Sequence, residues 1–351
     1  MKTHKNLYKK LCSFDNLLFA FQKARKGKSN KPYVINFEKN LEKNLRVLQE
    51  DLINKTYNPS NLSKFVIRDP KTRIIHASIF RDRVVHHAIV NILNPIYEKI
   101  FIYDSFASRK NKGSHKAVER FESFVRKVSS NGQLTKNSFN NNSIQGYALK
   151  ADFRKYFDSV NHQVLIRVLR KKINDEDILW LVEVILSNFK TAQDTGMPLG
   201  NYTSQFFANI YLNELDYYMK HVLNAKHYIR YVDDFVILHK NKKRLAYFLE
   251  KIKNFLPSLK IKLHQDKTQI MPLCKGVTFL GYRVFFHNRL LRERNLNYFK
   301  NRLRNNLALL DEEKITQERF SSAVKGWEGY AKFANTWNLR NKLLANVSVS
   351  E

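Results

Sequence analysis

Two adjacent acids, Asp233 and Asp234, interrupt the run HYIRYVDDFVIL at residues 227–238. Around them Tyr228, Ile229, Tyr231, Val232, Phe235, Val236, Ile237 and Leu238 all favour strand. A core strand cannot absorb two carboxylates without compensation, because each buried ion costs several kcal/mol when unpaired. The pair therefore has to mark a turn, and something positive has to face it. For Asp-Asp alone, a solvated hairpin turn is the simple alternative.

A second β-like run, GYALKADF at 146–153, carries Asp152 directly after Tyr147–Ala151. If the two runs are neighbours, Asp152, Asp233 and Asp234 converge. Hard oxygen ligands with no nearby His or Cys cluster favour Mg²⁺ over zinc, with Mn²⁺ as the alternative ion. Two Mg²⁺ ions held by carboxylates activate an attacking hydroxyl and neutralise a leaving pyrophosphate.

The charge of the chain narrows the class of partner. Lys and Arg total 62 against 31 acids, a net charge of +31 over 351 residues. Such a surface attracts polyanions at long range, and nucleic acid is the expected one. No apolar stretch has spanning length and no signal peptide is evident, so no membrane partner is expected. Cys12 and Cys274 are too few for a disulfide framework or a Cys-rich zinc site, and the chain reads as a reduced, cytoplasmic protein.

Periodicity predicts a mixed, α+β protein. Residues 1–35 are basic, and Phe37, Leu41, Leu45, Leu48 and Leu52 predict one amphipathic helix. KFVIRDPKTRIIH at 64–76 predicts a hairpin turning at Asp69-Pro70-Lys71-Thr72, followed by a helix over 80–101. The Asn- and Ser-rich tract 129–145 predicts a flexible loop. Strands are expected at 146–153, 227–238 and 277–286. Helices are expected at 161–172, 176–188, 203–223, 296–310 and 316–334.

YVDDF resembles the Tyr-x-Asp-Asp motif of reverse transcriptases, and ADFRKYFD resembles their first palm motif. The other blocks follow in the family's order. KFVIRDPKTRII with FRDRVVHHAI resembles the fingers, and DSFASRKNKGSHKAVERF the next block of the retron and group II intron type. GMPLGNYTSQFFANIYLNELD, LHQDKTQI and VTFLGYRV complete the series, which runs from about Phe65 to Tyr282 and more loosely into 288–344. Seven ordered blocks are specific where YVDD alone is not.

The resemblance implies a right-hand polymerase fold with fingers, a palm of antiparallel sheet plus helices, and a short helical thumb. The divisions it suggests are an extension 1–60, fingers 61–128, a loop 129–145, palm 146–287, thumb 288–345 and tail 346–351. It implies that Asp152 and Asp233 hold the ions with Asp234 in support, and that Lys267 protonates or binds the pyrophosphate. Arg68 and Arg73 would grip the triphosphate, a task suited to arginine's planar fork. Phe157, five residues after Asp152, stands at the steric gate that excludes a ribose 2′-hydroxyl. Phe153, Leu199, Gly200, Ser204 and Gln205 fall in nucleotide-binding motifs. Tyr231, Val232, Leu280 and Gly281 fall in motifs that meet the nucleic acid, and Lys325, Lys332 and Arg340 add cations among the tail's aromatics.

Most reverse transcriptases carry a glutamine before the second glycine of GMPLG and a proline after the serine. Here those positions are Leu199 and Gln205. That form resembles the enzymes of diversity-generating retroelements, which copy a template RNA with errors concentrated at adenines. The implied partners are template RNA, a cDNA or primer strand, dNTPs and a small basic accessory protein. A reverse transcriptase of an antiphage defence system, using a dedicated non-coding RNA, is the alternative within the same chemistry. A maturase-like RNA-binding module without polymerase activity is the alternative of another class. With so few residues after the thumb-like tail, no RNase H, endonuclease or integrase domain is expected.

Overall fold

The computed structural model describes residues 3–68, 72–135, 144–191 and 194–345. The chain opens with four helices: α1 (Leu7–Leu11), α2 (Phe14–Arg25), α3 (Pro32–Lys39) and α4 (Leu41–Ile53). The helix expected across Phe37–Leu52 is broken at Asn40, which takes φ −124 and ψ 42, outside helical space. Its apolar face survives the break, since Val34, Leu45, Leu48 and Leu52 are all buried. The described part of the basic segment 1–35 packs against the rest of the chain. Leu11, Leu17 and Ala20 are completely buried, and α1 and α2 pack on the long helix described next.

The expected hairpin forms from β1 (Ser63–Ile67) and β2 (Arg73–Ala77), paired antiparallel from Ser63↔Ala77 to Ile67↔Arg73. Its turn residues 69–71 lie outside the described residues. Helices α5 (Phe80–Tyr97) and α6 (Ser114–Val128) follow. Of the Asn-rich tract, 136–143 lie outside the described residues.

The remaining elements are β3 (Tyr147–Asp152), α7 (Tyr156–Ser159), α8 (His162–Arg170), α9 (Glu176–Ser187) and α10 (Tyr202–Tyr217), which runs on as a π-helical turn at Tyr218–Val222. Then come β4 (Tyr228–Tyr231), β5 (Asp234–His239), α11 (Lys242–Phe255) and β6 (Gln269–Pro272). The chain closes with β7 (Val277–Phe279), β8 (Tyr282–Val284), β9 (Arg289–Leu291), α12 (Glu293–Asp311), α13 (Gln317–Ala331) and α14 (Trp337–Leu344).

Two runs that read as strands fold as hairpins. Residues 227–238 divide at the acids into β4 and β5, and 277–286 divide at Leu280-Gly281 into β7 and β8. Leu280 and Gly281 both have positive φ (48 and 93), as a two-residue hairpin turn requires. Among the described residues no helix is long and apolar enough to cross a membrane.

The central sheet has the order β4-β5-β3-β6 and is antiparallel throughout. Both its faces are buried, which is why its strands read as nearly continuous apolar runs. Leu149, Ala151, Phe235 and Ile237 join the core formed with the helices of one side. Their alternating neighbours Ala148, Val236 and Leu238 join a second core with Phe121, Phe124 and Phe279. With two apolar faces, only a strand end is left for the carboxylates.

Candidate active site

The acids occupy that end. Val232 and Asp233 form the loop of the β4–β5 hairpin, which Tyr231↔Asp234 closes. On the other side of β5, Asp152 is the register partner of Asp234. Val232 takes φ 54, the left-handed sign that a tight hairpin loop needs and that a β-branched residue rarely adopts. Strain of this kind costs about 1–3 kcal/mol and persists only where surrounding contacts impose it.

Burial pushes the Asp234 carboxyl up to about 6, with Lys150 opposing and the Asp152 charge adding to the rise. Asp233 is raised first by burial and then by the charge of Asp152. Two lysines answer this negative potential. Lys267 Nζ donates to Asp152 Oδ2 at 2.6 Å. Lys150 Nζ lies 3.4 Å from Asp234 Oδ2 while donating to the Thr278 carbonyl at 2.8 Å. Asp234 Oδ1 is shielded from solvent and has no hydrogen-bond partner among the described residues. Among those residues no three His, Cys, Asp or Glu side chains are already set as a metal cage. The donor set is nevertheless hard oxygen with an unpartnered atom and cations drawn to it, which suits a hard divalent ion.

A cleft of about 670 Å³ opens beside the turn. Tyr231, Val232, Asp233, Asp234 and Leu280 form one wall, and Phe157, Leu199 and Gly200 another. Arg73 reaches it from β2, and Ser204 and Gln205 from the first turn of α10. Asp152 and Lys267 border an adjoining cleft with Asp234, Lys150, Arg283 and Arg292.

Other expected residues lie elsewhere. Phe153 is 2% exposed and sits in the core between Tyr156 and Phe235, so it packs the sheet and does not face the cleft. Arg68 is exposed beyond the end of β1 and is not part of the cleft lining. Gly281 lies under Tyr330, whose hydroxyl donates to the Gly281 carbonyl at 2.8 Å, tying this hairpin to α13. Lys332 and Arg340 both pair with Glu328, at 3.0 and 2.9 Å, and Lys325 is exposed on α13. These three basic residues do not line the cleft.

The β1–β2 hairpin is docked on the Leu199-Gly200 loop. His76 N–H donates to the Leu199 carbonyl at 2.9 Å. Gly200 has φ +123, and a Cβ there would stand 2.7 Å from Ile75 Cγ2 and 3.2 Å from the His76 carbonyl oxygen. Behind the loop, Ser78 N–H donates to Asn201 Oδ1 at 3.0 Å. His86 is buried between Ser78 Oγ (2.9 Å) and Thr203 Oγ1 (2.6 Å).

Burial lowers the His86 pKa from 6.5 to about 3, so the ring is neutral in the fold. Between those values the unfolded chain takes up a proton that the folded chain refuses. Stability is therefore full above pH 6.5 and falls with acidification, by up to about 1.4 kcal/mol per pH unit from this residue. Thermal unfolding measured from pH 7 down to 5 is expected to show the loss, and His86→Gln to remove that part of the slope. An equal slope in the variant would refute it.

Several cleft residues had only a weak signal in the sequence. Lys150 sits two residues before Asp152 and so on the same side of β3, a lysine within an apolar strand. Ser108 Oγ donates to Gln205 Oε1 at 3.1 Å, which needs the fold to be seen.

An antiparallel sheet that ends in carboxylates, beside a cleft reached by Arg73 of the β1–β2 hairpin, is the arrangement of the right-hand polymerase fold. The fold is shared with apo telomerase from Candida tropicalis, at TM-score 0.50 and 14% identity over 71% of this chain and 53% of that one. A family profile described as reverse transcriptase (RNA-dependent DNA polymerase) matches residues 67–284, more than half of the chain. The chain belongs to the reverse transcriptase family. Among curated relatives, it is 27% identical to Protein YkfC of Escherichia coli over 68% of this chain and 71% of that protein. It is 24% identical to the group II intron-encoded protein LtrA of Lactococcus lactis, over 76% of this chain but 44% of LtrA.

Proposed function

We propose that this chain copies a template RNA into DNA by nucleotidyl transfer at Asp152, Asp233 and Asp234. The observation that carries the reading is the placement of these carboxylates at a sheet end, with burial and mutual repulsion raising Asp233 and Asp234. Such a set gains from cations. Asp152 and Asp233 would hold two Mg²⁺ ions, or Mn²⁺, with Asp234 in support. The ions when bound would lower the pKa of the attacking hydroxyl and offset the negative charge on the leaving pyrophosphate. Lys267, already on Asp152, would meet the pyrophosphate as it leaves. Arg73 would hold the triphosphate, and Phe157 would lie under the sugar.

In this reading 61–128 form the fingers, 146–287 the palm with part of the fingers, and 288–345 the thumb, with 1–60 as an N-terminal extension and 129–145 as an Asn/Ser-rich loop. The net charge of +31 supports an RNA template and a DNA primer strand as partners. A basic accessory protein would meet like charge here, so RNA would have to bridge the two. A maturase-like binding role alone leaves the clustered acids without a use. Primer extension on an RNA template with dNTPs and Mg²⁺ tests the proposal; no DNA product from the folded chain sinks it.

The diversity-generating subtype rests on Leu199 together with Gln205, and the aliphatic side chain of Leu199 lines the same cleft as Phe157. It offers no hydrogen bond where an amide could read polar groups, and apolar contact discriminates less well than polar readout. Leu199→Gln is expected to lower misincorporation opposite template adenine by about tenfold, read by sequencing cDNA from a defined template. An unchanged error pattern would remove the subtype and leave the polymerase.

A further inference from the structure

The residue before the YVDD turn is an arginine with no exposed surface. Alternation along β4 sends Arg230 to the same side as Tyr228, into the core and away from solvent. A guanidinium has five N–H donors, and here all five are used. Nε donates to Asp216 Oδ1 at 2.7 Å, and Nη2 to Asp216 Oδ2 at 2.5 Å and Ser105 Oγ at 3.1 Å. Nη1 donates to Asn209 Oδ1 at 3.2 Å and to the Val232 carbonyl at 2.8 Å. Tyr228 adds its hydroxyl to Asp216 Oδ1 at 2.7 Å.

Stability does not explain this arrangement. Replacing a buried ion pair with apolar groups of similar volume is often neutral or stabilising. What the pair does is join parts that meet nowhere else in sequence. Val232 is the strained residue of the catalytic turn, and Arg230 grips its carbonyl directly. Ser105 and Asn209 lead to Ala107, which accepts from Asn209 Nδ2 at 2.8 Å and lines the cleft. The Arg230 backbone adds bonds from its N–H to Asp104 O and from Phe106 N–H to its own carbonyl.

We propose that Arg230 is a positioning residue that locks the Val232 turn to the buried Ser105–Ala107 segment, whose Ala107 lines the cleft, and so fixes where Asp233 and Asp234 present their carboxylates. This rests on the polymerase reading above. A misplacement of about 1 Å can cost roughly 100-fold in rate, so the effect falls on turnover and not on binding.

The test uses two variants of the full chain. Arg230→Met with Asp216→Asn removes both buried charges together and leaves an acceptor for Tyr228. Arg230→Lys keeps the charge and reduces five donors to three. The double variant is expected to fold with a lowered melting temperature, since Asn209 Oδ1 and the Val232 carbonyl lose their donor, and to bind template–primer with unchanged Kd. Its kcat is expected to fall about 100-fold at an unchanged KM for dNTP, with Arg230→Lys between the two. Wild-type kcat in either folded variant overturns the proposal, as does a loss that appears only in Kd or KM. If the double variant unfolds, the kcat-to-KM split in Arg230→Lys decides by the same criterion. A wild-type chain that makes no DNA overturns the polymerase reading itself, and this inference with it.

Discussion

Asp233→Ala is expected to abolish DNA synthesis, with a fall of about 10³-fold or more in the rate of primer extension. Ion-assisted charge neutralisation in the transition state supplies several kcal/mol, and each 1.36 kcal/mol is a factor of ten. The same substitution is expected to raise the melting temperature of the metal-free chain. Burial and Asp152 hold the Asp233 carboxyl above its usual range, so its ionised form is penalised in the fold at neutral pH. Primer extension and thermal unfolding on the same preparation separate the two effects. RNA affinity is expected to persist, because it comes from the basic surface. Activity that survives in Asp233→Ala would overturn the assignment of this sheet end as the reaction centre.

The second large effect is expected at Arg73. This residue begins β2, opposite Ile67, and lines the cleft, whereas Arg68 lies outside it. A charge-assisted hydrogen bond to phosphate is worth about 1.5–3 kcal/mol. Arg73→Ala is therefore expected to raise the KM for dNTP about 10- to 100-fold, and Arg68→Ala to have a smaller effect. Steady-state kinetics over a dNTP series would show the contrast. Equal effects from the two would mean that the hairpin meets the triphosphate in some other way.

The sheet end was legible because its signals are local. Two acids in an apolar run force a turn, and Asp152 ends a strand of matching character, so the meeting of Asp152 with Asp234 follows once the strands pair. The β1–β2 hairpin was legible for the same reason, from β-rich arms on either side of Asp-Pro-Lys-Thr in the sequence. What escaped depends on distant partners. Lys150 reads as one lysine until Asp234 and Thr278 come alongside it. Arg230 reads as a surface charge until Asp216, Asn209 and Ser105 enclose it. Phe153 looked like a cleft residue because it follows Asp152, but the strand's alternation turns it into the core. The short strands β6 and β9 have three or four residues each, too few for a period to show. The break at Asn40 is invisible to a pattern that keeps its apolar spacing on both sides.

Gly200 acts as a spacer of zero thickness. The β1–β2 hairpin rests on bare backbone there, within reach of Ile75 and His76. The seat of the strand that carries Arg73 is thus set by the lack of a single methyl group. Any side chain at this point is a shim driven between the hairpin and the Leu199-Gly200 loop, and it would push the strand that carries Arg73 outward. The tolerance of the machine is set by its smallest part.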